Sequence, residues 1–400
     1  MFFEILLAIL VGCFFGIFTG LIPGIHMNLV SLMIVVTSPV LLEYVSPLFL
    51  AIVITSMAIT HTFLDNIPSI FLGAPEEDTV LSVLPGHRLL LQGKGFEAVM
   101  LTTLGSFFAL MFSIVLVPVI IPLASIGYPL IKDWMGIILI FLSGFLILHE
   151  KTSKLWALII FLMSGCLGIG VLNISVLKEP LFPLLSGLFG TSMLVLSVKD
   201  NVRIPKQELT GIHLETRKGL KALICSVIAG VFCSFLPGLG PSQAAILSSQ
   251  FTKNLGDKGF LVLVGGLSTV NMVISFVALY VLDKPRNGAI VAISKIIDSF
   301  GYNDLILFLG CALVVAGIAT FLTVFFSKVF SSLIVKVNYK FLCLSIISLV
   351  VGLAFFLDGF LGLFILAAST FLGIIPALKG IGRNHMMGVL ILPVILYFVL

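Results

Sequence analysis

The stretch "GLIPGIHMN" (Gly20–Asn28) cuts into sequence that is otherwise apolar from Phe3 to Ile22. Pro23 has no N–H to donate and disfavours helical geometry at Ile22. Gly24 admits backbone angles that other residues avoid. Together they stop a helix in the middle of apolar sequence. A histidine and an asparagine, His26 and Asn28, follow at once.

The setting of this break is lipid. Of 400 residues, 60% are hydrophobic and 10% charged, with a mean hydropathy of +1.26. A soluble globular chain is roughly a quarter charged. Apolar runs near the ~20-residue spanning length recur throughout: Phe3–Ile22, Leu48–Leu64, Leu101–Leu123, Leu155–Leu172, Leu220–Leu236, Leu305–Phe326 and Phe341–Leu357. The fold class is all-α, a polytopic, multi-pass protein of the cell membrane with about 10–12 membrane segments. No segment reads as a soluble domain, which argues against catalysis outside the membrane. The N-terminus carries Glu4 and no Lys or Arg before the apolar run, so Phe3–Ile22 reads as a retained span rather than a cleavable signal. The six cysteines lie in apolar runs without CxxC or paired Cys/His spacing and read as small hydrophobes. The net charge of +4 points to no nucleic-acid partner, and no cofactor or metal motif is present.

The longest polar stretch, Lys199–Lys221, holds six Lys/Arg against three Asp/Glu. Short cytoplasmic loops concentrate positive residues, so this linker reads as cytoplasmic. It divides the chain into a first transmembrane repeat (1–200), a linker (201–218) and a second repeat (219–400). "GIFTGLIPG" (Gly16–Gly24) aligns with "GVFCSFLPG" (Gly230–Gly238), and "IFLGAP" (Ile70–Pro75) loosely with "YVLDKP" (Tyr280–Pro285). The shared order and similar offset predict two structural repeats with broken or re-entrant helices. An odd number of crossings per repeat would invert one against the other and leave both termini outside.

Backbone groups freed by a break cannot face lipid, where each would cost several kcal/mol. They must line a cavity or a ligand. A helix restarting near His26–Asn28 would aim its free N–H groups, the positive dipole end, into that space. The second half repeats the device in Pro237-Gly238-Leu239-Gly240-Pro241-Ser242-Gln243, with Ser242 as N-cap. The candidate substrate-binding set is therefore Pro23, Gly24, His26, Asn28, Pro237, Gly238, Gly240, Ser242 and Gln243. Arg88, from "PGHRLLLQGKG" (Pro85–Gly95), joins it as a bidentate partner for an anion, with an interfacial anchor as the plainer reading. A second polar group follows each break. His61, Asp65 and Asn66 share one side of a helix in "THTFLDNIPSIFLGAPEEDT" (Thr60–Thr79), and Asn271 is the positional counterpart of His61 or of a near neighbour. Ionisable residues within a span are costly and face a bundle interior or water path. These four are candidates for coupling to H⁺ or Na⁺, a surface turn at Asp65–Pro68 being the plainer reading. Asp358, Arg383 and His385 read as loop-end residues. The six histidines show no HExxH or GxSxG setting, so an intramembrane enzyme is disfavoured.

"PGLGPSQAAIL" (Pro237–Leu247), the matched "PGIHMNLVSLM" (Pro23–Met33) and "IPSIFLGAPEEDTVLSVLPGHRLLLQGKGFEAV" (Ile67–Val99) resemble the large membrane subunit of tripartite tricarboxylate transporters, the TctA-type permeases. The resemblance implies a secondary transporter for organic carboxylates that works with a small membrane subunit and an extracytoplasmic binding protein. Two departures mark an archaeal or otherwise divergent branch, with "THTFLDN" and "GLSTVNMVIS" where the family has other residues. The departures touch the presumed site, so citrate-like specificity does not carry over. The function expected is a permease moving an anionic organic solute, a carboxylate, by alternating access. The alternative is a polyprenyl-phosphate translocase whose paired Pro-Gly loops take the lipid phosphate headgroup.

Overall fold

The computed structural model describes residues 2–22, 27–73, 79, 81–199, 204–235, 240–252, 255–297, 299–336 and 339–399. Among them regular structure is helical throughout. The first half carries α1 (Phe2–Leu21), α2 (Met27–Leu41), α3 (Pro47–Leu64), α4 (Asn66–Phe71), α5 (Val83–Leu91), α6 (Gly95–Ile131), α7 (Met135–Leu148), α8 (Lys154–Leu172), α9 (Leu181–Leu185) and α10 (Ser192–Lys199). A π-helical turn, Ser186–Thr191, joins α9 to α10. The second half carries α11 (Thr216–Phe235), α12 (Pro241–Phe251), α13 (Gly256–Leu282), α14 (Gly288–Ile296), α15 (Tyr302–Ile334), α16 (Tyr339–Lys379) and α17 (Gly388–Val399). Gly359, at φ 61°, kinks α16. Eight segments are long and apolar enough to span a bilayer. Three shorter apolar helices, Val30–Leu41, Leu181–Leu196 and Arg383–Val399, bring the described segments into the expected range.

Lipid tails are as apolar as leucine, so helices in a membrane associate through close packing of small residues. Gly12, Gly16 and Gly20 recur every fourth position on α1 and face α3. A Cβ at Gly16 would fall 2.5 Å from the Cβ of Thr60. On α11, Gly230 meets Val270 in the same manner, at 2.8 Å. α6 and α13 approach closely enough for Gly105 to lie on the Val262 carbonyl and Gly265 on that of Thr102.

The packing is reciprocal between halves. α6 packs on α13, and α15 on α3; α5 packs on α13, and α14 on α3. α17 packs on α8, and α16 on the π-turn and α10. Gly168 of α8 lies on the Val389 carbonyl, and Gly373 of α16 on the Leu188 carbonyl. The largest apolar core therefore draws on α1–α6 and α11–α15 together, while α7–α10, α16 and α17 form smaller clusters beside it. The sequence halves are not separate globular units; each supplies helices to both parts.

Ring contacts and polar bonds fix helix directions. α13 begins beside the start of α6, where Lys258 meets Glu97, and Ser106 bonds the Gly265 carbonyl at 3.0 Å. α13 ends beside the start of α15, at Tyr280 and Tyr302. α15 ends beside α4, at Phe71 and Phe330. α3 thus runs toward the end of the bundle where α13 begins, and α13 runs away from it. The linker lies at that end and is strapped down. Gln207 accepts the Gly95 N–H and donates to the Leu90 carbonyl, and the Glu208 N–H bonds Gly93.

Candidate functional site

Pro23, Gly24, His26, Pro237 and Gly238 lie outside the described residues. The helices that lead into and out of both stretches are described. α1 ends against the α3–α4 junction: a Cβ on Gly20 would sit 2.7 Å from the Leu64 Cβ, 3.3 Å from the His61 carbonyl oxygen and 3.4 Å from the Asp65 nitrogen. α11 ends against the counterpart level of α13, where Ser234 donates 3.3 Å bonds to the backbone carbonyl and side chain of Asn271. Cys233 also reaches the Asn271 Oδ1, at 3.4 Å. The two levels are joined directly by a 3.3 Å bond from Thr269 to Thr62.

Around that bond sits a buried polar cluster. α3 stops at Asp65, its C-cap, and α4 starts at Asn66. His61, Asp65 and Asn66 are each 1–2% exposed. His61 Nε2 lies 4.0 Å from Asp65 Oδ2, and Asn66 donates to Asp65 Oδ1 at 2.9 Å. Ser69 bonds the Asp65 carbonyl at 2.9 Å and Thr79 at 2.7 Å. Asn66 Oδ1 and Ser268 Oγ are buried without a hydrogen-bond partner among the described residues. Buried polar atoms are nearly always paired, so these two leave donor and acceptor capacity for a solute, ion or water. The surface-turn reading of Asp65–Pro68 is overturned, because every residue of that turn is buried.

The remaining candidates divide. Asn28 lies in the first turn of α2 against the start of α14: a Cβ at Gly288 would fall 2.5 Å from its Oδ1. Asn287 caps α14 and reaches Met272, the neighbour of Asn271. Ser242 is 1% exposed but is not the N-cap; Gly240 takes that place and Pro241 the next, where a missing N–H costs nothing. The side chain of Gln243 is outside the described set. Arg88 stands apart. Its guanidinium pairs with Asp257 at 3.2 Å, about 18 Å along α13 from Thr269 at helical rise. Both line an open cleft of about 760 Å³ between α5, α12–α13 and the α16–α17 turn, which Arg383 and Asn384 also line.

The partners of three polar groups escaped the sequence reading. Glu97 is fully buried at the start of α6, where Lys258 and the His213 N–H satisfy one oxygen. His385, in the turn between α16 and α17, is 2% exposed and bonds Glu150 at 2.8 Å, so this loop-end residue is buried rather than solvated. Asp358 accepts the N–H groups of Lys178 and Glu179. Desolvation and the Asp358 charge push the Glu179 carboxyl above its ordinary range. Each partner is more than 100 residues distant in sequence, which hides the pairing from local pattern.

The family model described as the tripartite tricarboxylate transporter TctA family matches residues 6–388. The chain belongs to the TctA family. It is a multi-pass membrane protein of a transporter family. An uncharacterized protein of the archaeon Methanocaldococcus jannaschii is 31% identical over 404 residues, covering 98% of this chain and 98% of that protein. No solved structure matches the chain.

Proposed function

We propose that this TctA-family protein is a secondary transporter that moves an anionic organic solute, a carboxylate, by alternating access between two inverted repeats. One observation carries the reading: the ends of α1 and α11, each leading into a Pro-Gly stretch, meet buried polar residues at two levels that the Thr269–Thr62 bond joins. Transporters with inverted repeats hold substrate at the repeat interface near the bilayer midplane, on the ends of broken helices. Reciprocal packing of the halves and the opposite directions of α3 and α13 support the repeat reading over 1–200 and 219–400. The linker is then cytoplasmic and both termini lie outside.

In this reading the restarting helices α2 and α12 attract the anion through backbone N–H groups. Asn28, Ser242 and Gln243 add neutral donors. A site built from dipoles binds an anion without locking it in an ion pair. Asp65, held by Asn66 and close to His61, carries the coupling H⁺ or helps hold Na⁺, with Asn271 opposite. A small membrane subunit and an extracytoplasmic binding protein complete the system. Purified protein in liposomes, under imposed Na⁺ or pH gradients, is the test. Uptake of a labelled di- or tricarboxylate supports the reading. Movement of short-chain polyprenyl phosphate with no carboxylate uptake replaces it with the lipid-carrier alternative.

A further inference from the structure

The flank of the bundle between α6 and α11 carries an apolar groove of about 330 Å³. Leu116, Val119 and Leu123 of α6 form one wall and Ile228, Val231 and Phe232 of α11 the other. Val119 and Leu123 are more than half exposed, as are Ile228 and Phe232, so the groove opens outward rather than into the protein. Tyr128, further along α6, belongs to the same lining. Two cations converge on it from the loop after α13. Arg286 donates to the Tyr128 hydroxyl at 2.9 Å with its guanidinium carbon 5.4 Å from the ring centroid. Lys284 Nζ lies 5.8 Å from the same centroid. Arg286 Nε is buried without a hydrogen-bond partner among the described residues. The loop Asp283–Asn287 holds these two cations against one carboxylate, Asp283.

We propose that this groove is a binding site for an anionic membrane phospholipid, one acyl chain lying between α6 and α11 and the phosphate at Arg286 and Lys284. The chemistry is complementary at both ends. A groove on a membrane-facing flank fills with hydrocarbon, because no water is available there to fill it. A phosphodiester matches guanidinium and ammonium donors at the end of a span, where cations meet headgroups. The ring of Tyr128 holds both cations over the groove while leaving donors on each. Phe235, the last residue of α11, lines the same groove. The lipid therefore touches the helix that leads into the second Pro-Gly stretch, and its occupancy bears on how that helix moves. The site is distinct from the polar cluster at Thr62–Thr269, and its test needs no transport activity.

The test is native mass spectrometry of the purified protein. The protein is exchanged into mixed micelles containing equal dioleoyl-phosphatidylglycerol and dioleoyl-phosphatidylcholine. The wild type should retain phosphatidylglycerol in preference. Arg286→Gln with Lys284→Gln should weaken that retention about tenfold, the size of one charge-assisted hydrogen bond. Val231→Trp, which fills the groove and leaves both cations in place, should also reduce it. Equal retention of the two lipids by the wild type overturns the proposal. Retention that Val231→Trp leaves unchanged overturns it too, since the contact would then be with the headgroup alone. Melting temperatures within a few degrees of wild type verify that each variant is folded.

Discussion

In the proposed mechanism, Asp65 is the residue on which coupling turns. It is 1% exposed, sits where α3 breaks into α4, and is contacted by Asn66. Asp65→Asn keeps shape and removes charge. We expect it to abolish gradient-driven uptake while leaving substrate binding and melting temperature close to wild type, as read by proteoliposome flux and thermal unfolding. Full gradient-driven uptake by that variant removes Asp65 from the mechanism. Much of this cluster was legible in the sequence, because His61, Asp65 and Asn66 are adjacent in the chain and ionisable groups within apolar sequence are conspicuous. The partners that satisfy it were not. Thr62 and Thr269 are ordinary residues whose bond depends on how two helices cross. Glu97 shows the same limit. It sits in the first turn of α6, and only the fold brings Lys258 to it. Lys258→Met would strand that carboxylate and cost about 3–5 kcal/mol, whereas Lys258→Met with Glu97→Gln should recover much of the loss, since neither charge then lacks its partner. Thermal unfolding of both variants, side by side, checks the sign.

At the scale of helices, the α6–α13 contact is set by glycine. Gly105 and Gly265 each lie on a carbonyl of the opposite helix, so a side chain at either must push the two apart. We expect Gly105→Leu to destabilise by about 1–3 kcal/mol or to prevent assembly, the ordinary cost of overpacking. Gly144, which meets nothing within 4 Å, should accept leucine without loss. Detergent-solubilised yield and melting temperature distinguish them. The helices themselves were readable from apolar runs. Their assembly was not readable, because spacing within a run says where a helix lies and nothing of which helix it meets. The reciprocal placement of Gly168 on Val389 and of Gly373 on Leu188 is such a fact. The break at Asp65 was readable, because Pro68 has no N–H for the Leu64 carbonyl four residues back.

At the scale of the whole molecule, the smaller helical clusters are tied at one end by Glu150. Burial pushes its carboxyl up, but donors from Thr152, His385 and Gly382 outweigh that and hold it below the ordinary carboxylate range. A depressed folded value means that this lock stabilises above about pH 4.5, the ordinary value, and is lost as pH falls through the folded one. Glu150→Gln should therefore lower the melting temperature at neutral pH and flatten its acid limb, in a pH series of thermal unfolding. The larger claim is that both halves contribute to a single anion site where α1 and α11 end. Its most direct measurement is uptake of a labelled carboxylate, under a fixed gradient, by liposomes carrying wild type, Asn28→Ala or Ser242→Ala, one variant from each half. The account predicts that each variant lowers uptake at least about tenfold, the scale of one lost hydrogen bond to a charged solute, with both proteins folded and inserted. Wild-type uptake by both variants would contradict it and move the site away from the junction of the two halves.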